Sequence, residues 1–518
     1  PNDDGGDTCG GFPCRRVCPQ KVEKGESMKH LKQWLTVALA GLMLAGTVGC
    51  AKKNPSAPET SGETEPSTEL SSSSSYEDSV PKKNYNLETF RVLCTQEMDP
   101  FFDEEKSYID TVKQAVLRRN NLTCSLYGID LRYVSMSGNS GGANAFAAKV
   151  RAICNGGDDS YDLVLPQARY GVPIGVEGLY FDFNESDAIR WEESWYYQNI
   201  NSNCTILDQT YFLASAYLMD KIYAAEVVLF NVDLGASYNI SVDDIYTAVN
   251  DGTWTLEMLN RYASVVPEST DASGQKIWGC VMGGHGVRGL LIGCDTPFVT
   301  KENDKLKVTY YNDHLIGAYD LVNQFVNQNF YVKCDDTDAI LQEFIKGNSL
   351  FAISYIGMMG EEGNLNSEVD FSILPVPKYN AEQQDYITDV QRWELVSVPK
   401  TADSERACLV LDALSYYSYT ELLPTYWKYV IGSKLTRDPQ VEKIVEKIRS
   451  SITYDFCAIY QVEMGEIYLG SDSLSNSIRR GGTEGISSWW GRIGPSSDQW
   501  FDALCLKFEA LANQKKGQ

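Results

Sequence analysis

FRVLCT (90–95), IDLRYVS (129–135) and YDLVLP (161–166) are three short apolar runs, each separated from the next by a helical spacing. Between the first two, Ile109, Val112 and Val116 share one helical face within 107–119. Between the second pair, Phe146, Val150 and Ile153 recur at i, i+4 and i+7 within 143–153. Ile129, Leu131 and Tyr133 alternate along the middle run, as on a half-buried strand. Strand, helix, strand, helix, strand predicts parallel strands joined by right-handed crossovers. Such sheets bind ligands beyond the carboxyl ends of their strands. The loops at those ends hold Gln96 and Glu97, then 136–139, then Gln167, Arg169 and Tyr170.

The pattern continues downstream. KIYAAEVVLFNVDL (221–234) reads as a long extended segment, and GTWTLEMLNRYASVV (252–266) as a helix capped by Thr253 or Thr255 with Leu256, Leu259 and Ala263 inward. IWGCVM (277–282), LFAISYI (350–356), DFSILPVPK (370–378) and WELVSV (393–398) are further strands, interleaved with helices at 315–325 and 339–346. The remainder is mostly helical: 404–417, a helix opening at Asp438-Pro439, and a last one striped by Phe501, Leu504, Phe508 and Leu511. The globular part, 84–518, is longer than one core usually holds, so two lobes are expected.

Upstream, MKHLKQWLTVALAGLMLAGTVGC (28–50) places a basic start before an apolar run and a cysteine. That order predicts a bacterial lipoprotein signal peptide at 28–49 with diacylglyceryl on Cys50, although Thr47 stands where such motifs usually carry Leu. The apolar run falls short of the roughly 20 residues of a membrane span. Two acyl chains would hold the protein stably on the outer face of the cell membrane. Residues 1–27 read as an over-extended gene start. The Ser-, Thr-, Glu- and Pro-rich tract to residue 83 cannot bury enough apolar surface to fold. As a disordered linker of about 30 residues it would span roughly 30 Å.

A net charge of −25 repels phosphate backbones and weighs against nucleic acid as a partner. Past the signal segment only His285 and His314 remain, which weighs against a histidine-rich metal site or a Ser-His-Asp triad. Of fourteen cysteines ten lie in the globular part, and their irregular spacing leaves pairing open. With 31 Tyr and 10 Trp the chain is rich in flat rings that suit the apolar face of a sugar, or a core.

EVVLFNVDLGASYNI (226–240), NDGTWTLEMLNRYAS (250–264), DFSILPVPKYN (370–380) and LLPTYWKYVIGSKLTRDP (422–439), in that order behind the lipobox, resemble the carbohydrate-type extracellular solute-binding lipoproteins of bacterial ABC importers. The resemblance spans nearly the whole globular part. It implies an α/β, two-lobed periplasmic-binding-protein-like fold with a strand hinge and a helical C-terminal part. The first lobe would be 84–228, the second 229–372, and 373–518 would return to the first lobe and add helices. It further implies a monomer that captures a small ligand, an oligosaccharide or sugar derivative, for the transmembrane subunits of an ABC permease. No catalysis, cofactor or metal is expected. A surface glycoside hydrolase, or a glycan-binding protein without a transporter, is the alternative.

Three features compete for the ligand site. Gly284-His285-Gly286-Val287-Arg288-Gly289 fits G-x-G-x-x-G, but without the surroundings of a dinucleotide site it reads as a cleft-facing loop offering His285 and Arg288. Neighbouring acids such as Glu192-Glu193 do not supply carboxyls across a cleft, as glycosidases need, and read as solvated surface. Trp195 and Tyr196 precede the expected hinge and Trp393 lies near the return, so all three are candidate stacking platforms, with core packing the competing reading.

Overall fold

The computed structural model describes residues 75–516 apart from 103–109, 139–141, 269, 271–273, 303–304, 328, 336–337, 361–368, 392–393, 431–438, 466 and 469. Strands β1 (Glu88–Thr95), β2 (Ile129–Met136) and β3 (Leu163–Val164) form a parallel sheet in the order β2-β1-β3. β1 and β2 stay in register from Glu88 opposite Ile129 to Thr95 opposite Met136. The crossovers are α1 (Asp110–Tyr127) and α2 (Gly142–Gly156). α1 ends later than the apolar spacing suggested. It runs on to the buried ring of Tyr127 and stops at Gly128, whose φ of 60° favours glycine and whose missing Cβ makes room for Asn84.

A second sheet holds β4 (Glu226–Asn231), β5 (Trp278–Met282), β6 (Val332–Cys334), β7 (Ser349–Tyr355) and β8 (Phe371–Leu374), ordered β8-β4-β7-β5-β6. Only β4 runs against the other four. All six of its residues are buried, as expected of a central strand covered on both faces. The covering elements include α3 (Leu256–Ala263), capped by the Thr255 hydroxyl, α4 (Gly284–Gly293) and α5 (Asp313–Asn327). The two sheets are the cores of two lobes.

The chain crosses between lobes where Ala225 pairs antiparallel with Val390. There Glu226 N donates to Asp389 O (2.9 Å) and Gln391 N to Ala224 O (3.0 Å). Beyond the crossing, Glu394, Val396 and Ser397 pair with Gln167, Leu213 and Val164 of the first lobe. A third segment joins them, since Thr388 N donates to Ser451 O and Thr453 N to Thr388 O.

Several expectations need correction. Residues 221–234 are not continuously extended: a helical turn at Asp220–Tyr223 precedes β4, and Asn231 caps a helix at Val232–Ser237 by accepting from Leu234 N. The return to the first lobe comes after residues 373–378, because Phe371–Leu374 is the edge strand of the second sheet. The glycine motif at 284–289 is no loop but the first turns of α4. Nor is the stretch before β1 wholly linker, since Tyr76–Ser79 forms a helical turn and Tyr76 is buried.

The C-terminal part supplies α6 (Ser404–Tyr417), capped by Asp403, α7 (Leu423–Val430), α8 (Pro439–Ser451), α9 (Leu474–Arg479) and α10 (Ile486–Lys516). α6 packs on α1, α8 on β8, and α9 on α4 and α5, so these helices brace both lobes. Cys154, Cys204, Cys280, Cys294, Cys408 and Cys457 are free thiols buried as small apolar side chains. Among the described residues no helix is long and apolar enough to cross a membrane.

Candidate functional site

The carboxyl ends of both sheets meet at the crossing segments. In the second sheet β7 ends at Tyr355 directly opposite Glu226, where β4 begins and the chain crosses. β5 and β6 run parallel to β7 and end on that same edge, at Met282 and Cys334. In the first lobe the turn Asp99–Phe102 follows β1 and carries Phe101 onto the crossing segment. Ring centroids of Phe101 and Tyr223 are 5.8 Å apart, and those of Tyr223 and Tyr355 are 5.7 Å apart. An aromatic floor thus links first lobe, crossing and second lobe.

Two local devices hold that floor. Arg119, buried in α1, donates to the carbonyls of Phe101 (2.9 Å) and Phe102 (3.4 Å), and Asn120 also donates to Phe102 (3.1 Å). Burial of a guanidinium is tolerated because these carbonyls and the Asn120 side chain take up its donors. On the other side, Gly357 follows β7 because a Cβ there would fall 2.3 Å from the Tyr223 ring.

Gln96 lies exposed beyond β1, Gln167 half-buried beyond β3, and Tyr170 half-buried under the Arg169 guanidinium, which is itself exposed. His285 is exposed at the start of α4. Desolvation by its neighbours, then the Arg288 and Arg479 charges, hold its imidazole down at about 4. It is therefore neutral near pH 7, within 3.3 Å of Arg288 Nη1 through Nδ1.

Arg288, by contrast, is buried, and its Nε donates to Asp389 Oδ2 at 2.7 Å. Burial opposes charge on both partners; Asp389 nonetheless holds the guanidinium more firmly protonated, while burial leaves the Asp389 carboxyl above its usual range. Arg288 is thus committed to the hinge and is not a free ligand donor. Close by, Gln391 Nε2 donates to Glu226 at 2.6 Å.

Trp195 and Tyr196 are not stacking platforms. Both are buried in the first lobe, where Trp195 Nε1 and Tyr196 OH donate to Asp412 Oδ1 at 3.0 and 2.9 Å. No ligand reaches those rings without opening the core. Trp393 and Cys50 lie outside the described residues. Sequence reasoning did not single out Phe101, Tyr223 and Tyr355; the available signal was an aromatic residue flanking a strand, after β1 for Phe101, before β4 for Tyr223 and at the end of β7 for Tyr355. Among the described residues no group of three or more His, Cys, Asp or Glu side chains could hold a metal ion.

No protein-family model matches the chain. No curated protein matches it either. Solved structures do. UgpB from Mycobacterium tuberculosis, in complex with glycerophosphocholine, superposes with a TM-score of 0.53 at 12% identity, over 80% of this chain and 98% of that one. The GacH receptor of Streptomyces glaucescens GLA.O, solved unliganded and with acarbose and an acarbose homolog, gives 0.51 at 12% identity over 80% and 98%. A cyclo/maltodextrin-binding protein complexed with maltotetraose gives 0.51 at 12% identity over 78% and 94%. At this identity the likeness is one of fold: this chain has the two-lobed fold of the solute-binding proteins.

Proposed function

We propose that this chain is an extracellular solute-binding lipoprotein that captures an oligosaccharide or sugar derivative between its lobes and delivers it to an ABC import permease. The observation that carries the reading is the aromatic floor Phe101–Tyr223–Tyr355, set where both sheets end and the chain crosses between lobes. The half-buried rings of Tyr223 and Tyr355 there suit the apolar face of a pyranose, with buried Phe101 packed against Tyr223 in support. Gln96, Gln167, Arg169 and Tyr170, just past strands of the first sheet, and His285 at the start of α4 would supply hydrogen bonds. Acarbose and maltotetraose in two neighbours of the same fold support that class, while the third was solved with glycerophosphocholine. No bond chemistry is involved. Ligand contacts with both lobes stabilise the closed arrangement, and the permease senses closure. Cys50 would tether the protein to the outer face of the cell membrane, as a monomer.

The test is a fluorescence titration of the full chain with maltotetraose, acarbose and glycerophosphocholine, paired with small-angle scattering at saturation. Stoichiometric binding of an intact ligand, with a smaller radius of gyration, is the expected result. A sugar cleaved into products would instead establish the glycoside hydrolase alternative, and binding without compaction would reject closure.

A further inference from the structure

Tyr76 lies 336 residues from its hydrogen-bond acceptor, at the point where the Ser-rich tract of the sequence meets the folded body. Its ring stacks on Tyr416 at 3.8 Å and 5°, and meets Trp195 and Tyr417 edge-on at 6.0 and 5.6 Å. The Arg190 guanidinium lies 4.7 Å from the ring centroid, and the hydroxyl donates to Asp412 Oδ2 at 2.9 Å. Asp412 is buried, and its second oxygen accepts from Trp195 and Tyr196, so the carboxylate is fully committed to this socket.

The neighbours of Tyr76 hold the same way. Glu77 accepts from Tyr417 OH at 2.7 Å, Ser79 Oγ accepts from Arg190 Nη1 at 3.1 Å, and Val80 is buried. After that, residues 81–84 are exposed on the way to β1. A cavity of about 330 Å³ borders Ser79, Val80, Arg190 and Asp412. The segment is thus a short strap whose Tyr76 and Val80 join the edge of the first lobe's core beside that cavity, and an exposed stretch carries it on to β1.

We propose that the aromatic socket around Asp412 is a docking site for the chain's own Tyr76, which fixes the tether's exit to the first lobe and leaves the second lobe free to swing. The choice of lobe rests on the two-lobed receptor reading above; the docking itself does not. A tether attached across the hinge would resist closure, whereas one clamped to a single lobe does not. The ring supplies shape and apolar contact, and its hydroxyl supplies the hydrogen bond that a phenylalanine would lack.

Amide hydrogen exchange on the full chain tests this without any ligand. In the unaltered protein, amides of 76–80 should exchange slowly. Tyr76→Ala should speed them at least tenfold while β1 and β4 stay unchanged, and Tyr76→Phe should fall between. A fluorescein-labelled peptide of residues 72–83 should bind the Tyr76→Ala chain by anisotropy, and the same peptide with alanine for tyrosine should not. Fast exchange of 76–80 in the unaltered chain would overturn the proposal. So would loss of protection spreading into β1, which would make Tyr76 an ordinary core residue, or equal binding of both peptides. Failure to find a sugar ligand would not touch these outcomes.

Discussion

Arg288 Nε donates to Asp389 Oδ2 across 2.7 Å, which fastens α4 of the second lobe to the segment by which the chain returns to the first. Both side chains are nearly inaccessible to water. An ion pair in that setting adds little over well-packed apolar residues, but each charge makes the loss of the other expensive. The pair holds the crossing segment against α4, and the consequence can be measured.

Arg288→Met leaves Asp389 buried without its counter-charge and should cost about 3–5 kcal/mol in urea unfolding at pH 7. The double variant Arg288→Met, Asp389→Leu should recover most of that loss. If the double variant were as unstable as the two single losses added together, the side chains would be uncoupled.

Trp195 and Tyr223 should separate stability from binding. Trp195→Ala removes a buried ring and an Asp412 hydrogen bond, so it should cost about 3–5 kcal/mol yet leave ligand affinity unchanged. Tyr223→Ala, at a half-buried position on the floor, should cost less stability but weaken binding at least tenfold. Reversal of that pattern in paired denaturation and titration experiments would move the site to the Asp412 socket.

Acid carries a signature from buried carboxyls. Burial pushes Asp455 up to about 6 and Glu463 up to about 7, so the folded protein holds these protons to higher pH than the unfolded chain. Their contribution to stability is complete below pH 4 and declines as pH rises toward 7, with Asp455 accounting for ~3 kcal/mol of the decline. Asp455→Asn should flatten the part between pH 4 and 6 in a series of unfolding curves. An unchanged slope in that variant would assign the dependence elsewhere.

Gly289 is required by packing: a Cβ there would lie 2.7 Å from Glu226 Cγ and 3.0 Å from its Cδ. Gly289→Ala should therefore destabilise by about 1–3 kcal/mol. Gly491, in α10, faces open space, and Gly491→Ala should stabilise by up to about 1 kcal/mol. Thermal unfolding of the two variants side by side checks the argument, and shifts of the same sign would refute it.

The chain's periodicities determined a good deal by themselves. FRVLCT, IDLRYVS and YDLVLP with their two helical spacings are local patterns, and they became the first sheet with its crossovers. Helix 404–417 and the Thr255 cap were legible for the same reason, since a cap and an apolar stripe lie within a few residues of one another. Tertiary structure decided the rest. Trp195 has the same sequence signature whether it stacks on a sugar or on a core. Its role was set by Asp412, 217 residues away. The glycines at 284–289 read as a loop because nothing nearby in sequence shows that Glu226 would press against Gly289. Phe101, Tyr223 and Tyr355 became neighbours only when two sheets placed their carboxyl ends at one crossing. Hydrophobic spacing encodes which face of an element turns inward, but it does not encode which distant element that face meets, and the site is made of such meetings.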